Sequence, residues 1–266
     1  MQHFQMLPEC NVNVTQTHFQ GPLSLLCYVM MYGKRRVILG VLRHGDYHQP
    51  AGTPSAHLPY ALNGDGLQQS ADAVPKIADF AKENGLRIHS SVATSVLLRA
   101  WQTGRLIADG FRECQDEEMH VESYEELAER SVGAAANLTI KQIEKIVADD
   151  PRYEELPKGW KRMSDFKLPF IGAESLRDAG HRLARFFTAT AQELQQSDHD
   201  VLKLIVSHGG AIRHAAQTLQ ILSDDQVHRL SMFHAEPLFW SFSQDGQFTH
   251  VGGEWKVRSP SDLKID

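Results

Sequence analysis

Two stretches of the chain place a histidine directly after an apolar run. Residues Val37–Leu42 are almost wholly apolar and are followed by the tripeptide RHG, in which the histidine is His44. The stretch Leu202–Gly210, LKLIVSHGG, repeats this arrangement around His208. Apolar runs of this length are typical of strands buried on both faces of a parallel sheet. Because ligands bind at the carboxyl edge of such sheets, we expect the two histidines to lie together there.

Arginine side chains are expected at the same edge. Arg43 immediately precedes the first histidine, and Arg99 falls in the first turn of a helix predicted over Val96–Ala108, with Thr94 or Ser95 as its cap. Arginine carries a permanent charge and two parallel N–H donors, which suit phosphate oxygens. Taken alone, Arg99 would ordinarily be a surface residue. The helix N-terminus beside it favours a phosphate ligand.

Two histidines and two arginines at one edge suit phosphoryl transfer. The transferring group carries its charge on three oxygens, so catalysis is mostly positioning and electrostatic stabilisation. A neutral imidazole can attack phosphorus through one nitrogen while an acceptor holds the other and fixes the tautomer. The leaving oxygen also needs a proton donor, either a carboxyl group or a histidine. Composition alone does not select among the nearby acidic residues Glu122, Glu125, Glu126 and Glu129.

The sequence predicts neither a metal centre nor a cofactor. His44 and His48 are four residues apart, but this spacing matters on a helix, and the segment here is a loop that contains Pro50 and Pro54. The chain contains no H-E-x-x-H pair and no Walker phosphate loop.

The composition is that of an ordinary globular enzyme. The 266 residues are 42% hydrophobic and 23% charged, with a net charge of −6. This acidic balance argues against nucleic-acid binding. It is compatible with binding of an anionic substrate, because a pocket's local field can oppose the net charge of the chain. Three cysteines without a C-x-x-C pair indicate reduced thiols in a cytoplasmic protein. No apolar run reaches the length of a membrane span, so no membrane partner is expected either, and the oligomeric state is left open.

Strands and helices alternate along residues 34–266, which predicts one α/β domain with a central, mostly parallel sheet and helices on both faces. The further predicted elements are helices at 67–83, 139–148, 175–196 and 211–222, strands at 86–93 and 119–121, and a hairpin of 237–243 with 247–251. Residues 133–173 are predicted to be an insertion over the sheet, a lid. Lys158, Lys161 and Arg162 within it can steer an anion, although solvated loop charges are more common.

Residues 1–33 form an N-terminal extension of unknown role. They are either an extra strand or arm, or a segment before a natural start at Met30 or Met31. The apolar stretch Pro22–Tyr32 is short and has no basic region before it, so it makes a poor signal peptide.

Six ordered motifs between residues 36 and 242 point to a known family. They are Leu42–Gly45 (LRHG), Leu62–Gln69 (LNGDGLQQ), Thr94–Thr103 (TSVLLRAWQT), Leu127–Gly133 (LAERSVG), Gly172–Ser175 (GAES) and Ser207–Arg213 (SHGGAIR). Together they resemble the histidine phosphatase superfamily, in the branch of phosphoglycerate mutase and its phosphatase relatives. The third motif fits the family's T-S-x-L-x-R-A-x-x-T at every specified position. The fifth has one residue more than the family's G-E-S.

The resemblance implies a three-layer α/β/α fold and metal-independent chemistry on a small phosphomonoester. It implies that His44 is the nucleophile that forms a phosphohistidine, and that Glu129 protonates the leaving group and then activates water. Arg130 is a candidate substrate contact. Three residues would bind the phosphoryl oxygens: Arg43, Arg99 and His208.

One departure from the family pattern favours a phosphatase. The mutases continue RHG with E-S-x-W-N, whereas residues 46–50 here are DYHQP, so that proline replaces the small polar residue expected to bind phosphate. His48 and Gln49 are candidate substitutes. The G-W-x-D segment of the mutases is also absent. We therefore expect phosphomonoester hydrolysis. The alternatives are a phosphoglycerate mutase-type isomerase and a non-catalytic phosphate- or phosphopeptide-binding module, the latter disfavoured because every expected catalytic residue is present.

Overall fold

Eight strands occur in the computed structural model, which describes residues 35–54, 56–112 and 119–259. They are β1 (Val37–Arg43), β2 (Arg87–Ser95), β3 (His120–Tyr124), β4 (Val201–Ser207), β5 (Leu230–Ser231), β6 (Pro237–Phe242), β7 (Phe248–Gly252) and β8 (Lys256–Val257). Six of them form one sheet in the order β3-β2-β4-β1-β6-β7, and β5 pairs with β8. The predicted N-terminal extension, residues 1–33, lies outside the described residues.

The large sheet is mixed but mainly parallel. Strands β3, β2, β4 and β1 run parallel to one another, and the β6–β7 hairpin adds two antiparallel strands beside β1. This confirms the predicted central sheet. The predicted hairpin is present as β6 and β7, and it turns at Asp245-Gly246, where Gly246 has a φ of 82°, a conformation that glycine adopts without steric cost.

Six α-helices accompany the strands within the described residues. They are α1 (Gly64–Glu83), α2 (Leu98–Arg112), α3 (Ile140–Asp149), α4 (Leu176–Leu194), α5 (Gly209–Thr218) and α6 (Asp224–Arg229). Capping boxes at Thr139 and Ser175 begin α3 and α4, because each side chain satisfies N–H groups that have no partner within the helix. Helix α5 ends before the predicted Leu222, since the chain turns at Gln220 with a φ of 61°.

Helices cover both faces of the sheet. Along β1 the side chains alternate: Val37, Leu39 and Val41 pack in one apolar cluster with α4 and α5, whereas Ile38 and Leu42 pack in another with α1 and α2. A strand buried in this way needs apolar residues at consecutive positions, which explains the continuous run in the sequence. The predicted three-layer α/β/α architecture is thereby confirmed.

Residues 133–173 lie between β3 and α4 in the chain and have an apolar cluster of their own. Its buried members include Ile143, Trp160 and Leu168, and Ala56 from the loop after β1 joins them. The predicted helix within this segment is present as α3. The role of the segment as a lid stays a prediction. Among the described residues, no helix combines the length and apolar character needed to cross a bilayer.

Candidate active site

The parallel pairing of β1 with β4 brings the two histidines together. Arg43 at the end of β1 lies opposite Ser207 at the end of β4, and the next residue, His44, donates its backbone N–H to the Ser207 carbonyl at 3.0 Å. The ring centroids of His44 and His208 are 5.0 Å apart. The shared sheet edge expected from the sequence is therefore present.

Hydrogen bonding fixes the tautomer of His44. Its Nδ1 lies 2.7 Å from the carbonyl oxygen of Gly45, and because a carbonyl only accepts, Nδ1 carries the proton. Its Nε2 accepts from Nε of Arg99 at 3.1 Å. Burial, followed by the charge of Arg99, holds the pKa of His44 well below its ordinary value. The ring is thus neutral, with a lone pair on Nε2.

Arg99 joins the two histidines. Its guanidinium is fully buried and also donates from Nη2 to Nδ1 of His208 at 3.2 Å. Two backbone carbonyls of the loop after β1 also accept from Arg99, that of Leu58 from Nη1 and that of Ala56 from Nη2, both at 2.9 Å. Arg99 lies at the second residue of α2, within the first turn as predicted. Burial lowers the pKa of Arg99, but an arginine stays charged at neutral pH.

His208 is held in the opposite tautomer. Because its Nδ1 accepts from Arg99, its Nε2 carries the proton and donates to Oγ of Ser95 at 2.9 Å. Burial is the main cause that holds the pKa of His208 well below its ordinary value. Both rings are therefore neutral, and each directs a lone pair at the same guanidinium.

Glycines allow the loop after His44 to pack against the start of α1. The N–H of Gly45 donates to Oγ1 of Thr103 at 2.9 Å, and a Cβ on Gly45 would lie 2.5 Å from the carbonyl oxygen of Gly66. A Cβ on Gly66 would in turn overlap the carbonyl oxygen of Asp46. Three motif residues, Gly45, Gly66 and Thr103, thus determine the backbone conformation next to His44.

Among the four acidic candidates, only Glu129 is buried at this edge. Glu122, Glu125 and Glu126 are exposed, whereas Glu129 is 6% exposed and lines the same cavity as Arg43 and His44. Its Oε1 accepts from the backbone N–H that follows it at 2.9 Å. A carboxyl group at this position faces the volume that a substrate of His44 would occupy.

The segment that carries Glu129 is braced by an ion pair. Arg182 of α4 contacts the carboxylate of Glu174 at 2.8 Å and donates to the carbonyl of Ala128 at 3.0 Å. Glu174 also accepts from the backbone N–H of Ser131 at 3.1 Å. The glutamate of the GAES motif therefore positions the backbone on both sides of Glu129.

The cavity of about 240 Å³ is strongly cationic. Arg43 lies in its wall, with Nη1 donating to the carbonyl of Met232 at 3.2 Å. Arg130 also lines it, and burial lowers the pKa of this arginine. Lys161 and Arg162 line it from the 133–173 segment, whereas Lys158 does not. The lining residues with a permanent positive charge are Arg43, Arg130, Lys161, Arg162, Arg213 and Arg258.

The candidate substitutes for the missing phosphate ligand lie elsewhere. His48 is exposed, and the side-chain amide of Gln49 donates to the carbonyl of Thr53 at 2.9 Å. Neither lines the cavity, to which this loop contributes Pro54. In the described part of the chain no group of three or more His, Cys, Asp or Glu side chains is placed to hold a metal ion.

His234 was not singled out from the sequence. Its ring centroid is 5.9 Å from that of His44, and burial is the first cause that lowers its pKa to about 3. The neighbouring Ala235 has a φ of 53° and donates its N–H to the carbonyl of Arg43. No local pattern marks this loop, because only its contact with the end of β1 places it at the site.

An α/β/α fold with two histidines and two arginines at one sheet edge defines the class of protein to which this chain belongs. The model of the histidine phosphatase superfamily (branch 1) matches residues 39–250. The chain is a member of that superfamily.

Similar proteins include both mutases and phosphatases. The 2,3-bisphosphoglycerate-dependent phosphoglycerate mutase of Rhizobium meliloti (strain 1021) is 28% identical over 183 residues, which cover 68% of this chain and 77% of the mutase. The structure of a mycobacterial glucosyl-3-phosphoglycerate phosphatase matches with a TM-score of 0.57 at 21% identity, covering 85% of this chain and 99% of that one. Phosphoglycerate mutase from Bacillus anthracis str. Sterne matches with a TM-score of 0.60 at 17% identity, covering 87% and 96%. The two structures establish a shared fold.

Proposed function

We propose that this protein hydrolyses small phosphomonoesters through a phosphohistidine on His44. The observation that carries the proposal is the buried, neutral ring of His44, whose Nδ1–H is held by the Gly45 carbonyl while Nε2 keeps its lone pair beside Arg99. A nucleophile in this state needs no base to activate it. The complete set of surrounding cations and Glu129 supports an enzyme over a phosphate-binding module.

In the first step the phosphoryl group binds between the two histidines. Its oxygens take the N–H donors of Arg99 that otherwise point at the ring nitrogens, and Arg43 adds a second fixed positive charge. Nδ1 of His208, which no longer accepts from Arg99, then accepts from a protonated phosphoryl oxygen, since a phosphomonoester is partly monoanionic near pH 7. Nε2 of His44 attacks phosphorus as the ester P–O bond breaks. Glu129, protonated, gives its proton to the departing alkoxide. The Gly45 carbonyl then stabilises the positive ring of the phosphohistidine through Nδ1–H.

In the second step water resolves the phosphoenzyme. The carboxylate of Glu129 takes a proton from the attacking water, the P–Nε2 bond breaks, and inorganic phosphate is formed. His44 regains its lone pair and Glu129 its proton, so the cycle closes. The arginines act throughout as fixed charges that stabilise the transferring oxygens.

The similarity to the Rhizobium meliloti mutase supports a second candidate, a phosphoglycerate mutase activity. Hydrolysis is preferred because Pro50 stands where the mutases have a small polar residue. The adjacent Gln49 is engaged within its own loop by Thr53. A mutase must also keep water from its phosphoenzyme until the reoriented product takes back the phosphate, whereas a phosphatase must admit water beside Glu129.

Rapid quenching with radiolabelled substrate tests the proposal. Wild-type protein should yield an acid-labile, base-stable phosphate adduct, which His44→Ala should abolish, and EDTA should not affect phosphate release. With 3-phosphoglycerate and catalytic 2,3-bisphosphoglycerate, little 2-phosphoglycerate should form. An adduct that persists in His44→Ala refutes the nucleophile, and fast 2-phosphoglycerate formation without phosphate release establishes the mutase instead.

A further inference from the structure

The segment that carries Glu129 depends on side chains from other parts of the chain. Residues 128–131 belong to neither a helix nor a strand, so no regular ladder of backbone hydrogen bonds fixes them. Arg182 and Glu174 hold the backbone on the two sides of Glu129. The carbonyl of Glu129 itself has a different partner, His57 of the loop after β1, whose Nε2 lies 2.9 Å from it. Because a carbonyl only accepts, Nε2 of His57 carries the proton.

His57 lies between the two residues whose carbonyls hold Arg99. The carbonyl of Ala56 accepts from Nη2 of Arg99 and that of Leu58 from Nη1, both at 2.9 Å. Ala56 is buried in the apolar cluster of the 133–173 segment, and Leu58 is buried in a separate cluster. Both neighbours of the histidine are thus fixed. One tripeptide therefore contacts the arginine beside the nucleophile and, through His57, the residue that carries the acid.

The position of the Glu129 carboxyl group follows that of its backbone. Its Oε1 accepts from the N–H of Arg130 at 2.9 Å, and its two oxygens lie 3.1 and 3.3 Å from the Cβ position of Gly210, so the side chain has little freedom of its own. A general acid must lie within hydrogen-bond reach of the atom that it protonates. Misplacement by about 1 Å can cost about 10²-fold in rate. A contact that fixes the Glu129 carbonyl therefore acts on proton transfer.

We propose that His57 is a positioning residue for the general acid. Its Nε2–H holds the carbonyl of Glu129 and so places the carboxyl group for protonation of the leaving alkoxide. The inference rests on the proposed function, in which Glu129 is the proton donor. His57 acts through Glu129 and not on the substrate, since it does not line the cavity. Arg99 is held by backbone carbonyls, so a change of the His57 side chain leaves those acceptors in place.

Three substitutions separate the N–H donor from the shape of the side chain. His57→Phe keeps a ring without a donor, His57→Gln keeps a donor of similar reach, and His57→Asn carries the same amide on a side chain one methylene shorter. In single turnovers, release of the alcohol from an alkyl phosphate should slow by about ten- to a hundredfold in the Phe and Asn variants and by less than about threefold in the Gln variant. Release of p-nitrophenol from p-nitrophenyl phosphate should slow by less than about threefold in all three, because this leaving group does not need the proton.

A double-variant cycle distinguishes positioning of the acid from a general structural role. In a Glu129→Gln background there is no transferable proton to position, so His57→Phe should not slow the alkyl phosphate further. His48→Phe, which changes an exposed histidine of the same loop, should affect neither substrate.

The outcomes separate this inference from the proposed function. Additive losses in the double variant, equal losses on the two substrates in His57→Phe, or a Gln variant as slow as the Asn variant each overturn the positioning role. Leaving-group discrimination in Glu129→Gln but not in His57→Phe overturns the positioning role alone. A Glu129→Gln variant without that discrimination overturns the proposed role of Glu129 and the inference with it.

Discussion

The proton donor is the part of the proposed mechanism that one substitution isolates best. Glu129→Gln keeps the length of the side chain and the Oε1 acceptor that the backbone N–H of Arg130 contacts at 2.9 Å. The two carboxylate oxygens lie 3.1 and 3.3 Å from the Cβ position of Gly210, a space that an amide of the same shape fills. The variant therefore loses the transferable proton and little else.

The size of the effect depends on the leaving group. General acid catalysis contributes about 10²- to 10⁴-fold, or about 3 to 5 kcal/mol of activation free energy. An alkyl alkoxide is a strong base and needs the proton, so hydrolysis of an alkyl phosphate should slow by this factor. The p-nitrophenolate anion leaves without protonation, and p-nitrophenyl phosphate should therefore lose less than about tenfold.

The assay is release of the alcohol or phenol from both substrates under single-turnover conditions, which follows formation of the phosphoenzyme separately from its hydrolysis. Glu126→Gln is the matched control, because Glu126 lies in the same segment but is exposed. It should slow neither substrate. Equal losses on the alkyl and aryl phosphates in Glu129→Gln would refute the assignment, as would the same discrimination in the control.

Two further predictions concern stability. Gly66→Ala should lower the free energy of unfolding by about 1–3 kcal/mol, because the added methyl group meets the carbonyl of Asp46. In the control Gly64→Ala the Cβ position has no neighbour within 4 Å, so the free energy of unfolding should change by less than about 0.5 kcal/mol. Urea unfolding of both variants measures the difference, and equal effects would contradict the prediction. Burial lowers the pKa of His214 to about 4 in the folded protein. As the pH falls from about 6.5 to about 4, the unfolded chain therefore binds a proton at this residue before the folded protein does. The free energy of unfolding should decrease by about 3 kcal/mol over this range because of this group. Unfolding of His214→Gln, which keeps a polar side chain beside Oγ of Ser164 but cannot titrate, should show a pH dependence weaker by that amount, and an unchanged dependence would refute the assignment.

Strands and long helices were largely predictable because their signals are local. The apolar run at β1 reflects burial by helices on both of its faces, and the spacing of apolar residues in α1 and α4 marks their buried sides. The short elements α6, β5 and β8 were missed. They contain too few residues to show a period, and contacts from elsewhere in the chain support them, including the donation from Arg213 to the carbonyl of Val227 at 2.7 Å.

The candidate site was likewise predictable where its residues follow from local signals. A histidine that directly follows a buried strand must lie at the sheet edge, so residue order alone places His44 and His208 there, and a helix start does the same for Arg99. The family resemblance selected Glu129 among four acidic residues. What it implied about the roles of these residues stays a prediction that the proposed experiments address.

The sequence by itself determined the strands of the large sheet, the long helices that cover them and the residues that follow its two central strands, since periodicity and turn chemistry act over a few neighbouring residues. The carbonyl of the adjacent Gly45 holds Nδ1 of His44, but only the tertiary structure placed Arg99 against the lone pairs of both histidines, 55 positions from His44 and 109 from His208. It also decided the position of His234 beside His44 and the convergence of Lys161 with Arg258 on one cavity. Charges so distant in the chain influence one another only when the packing of separate elements brings them within range of each other's fields.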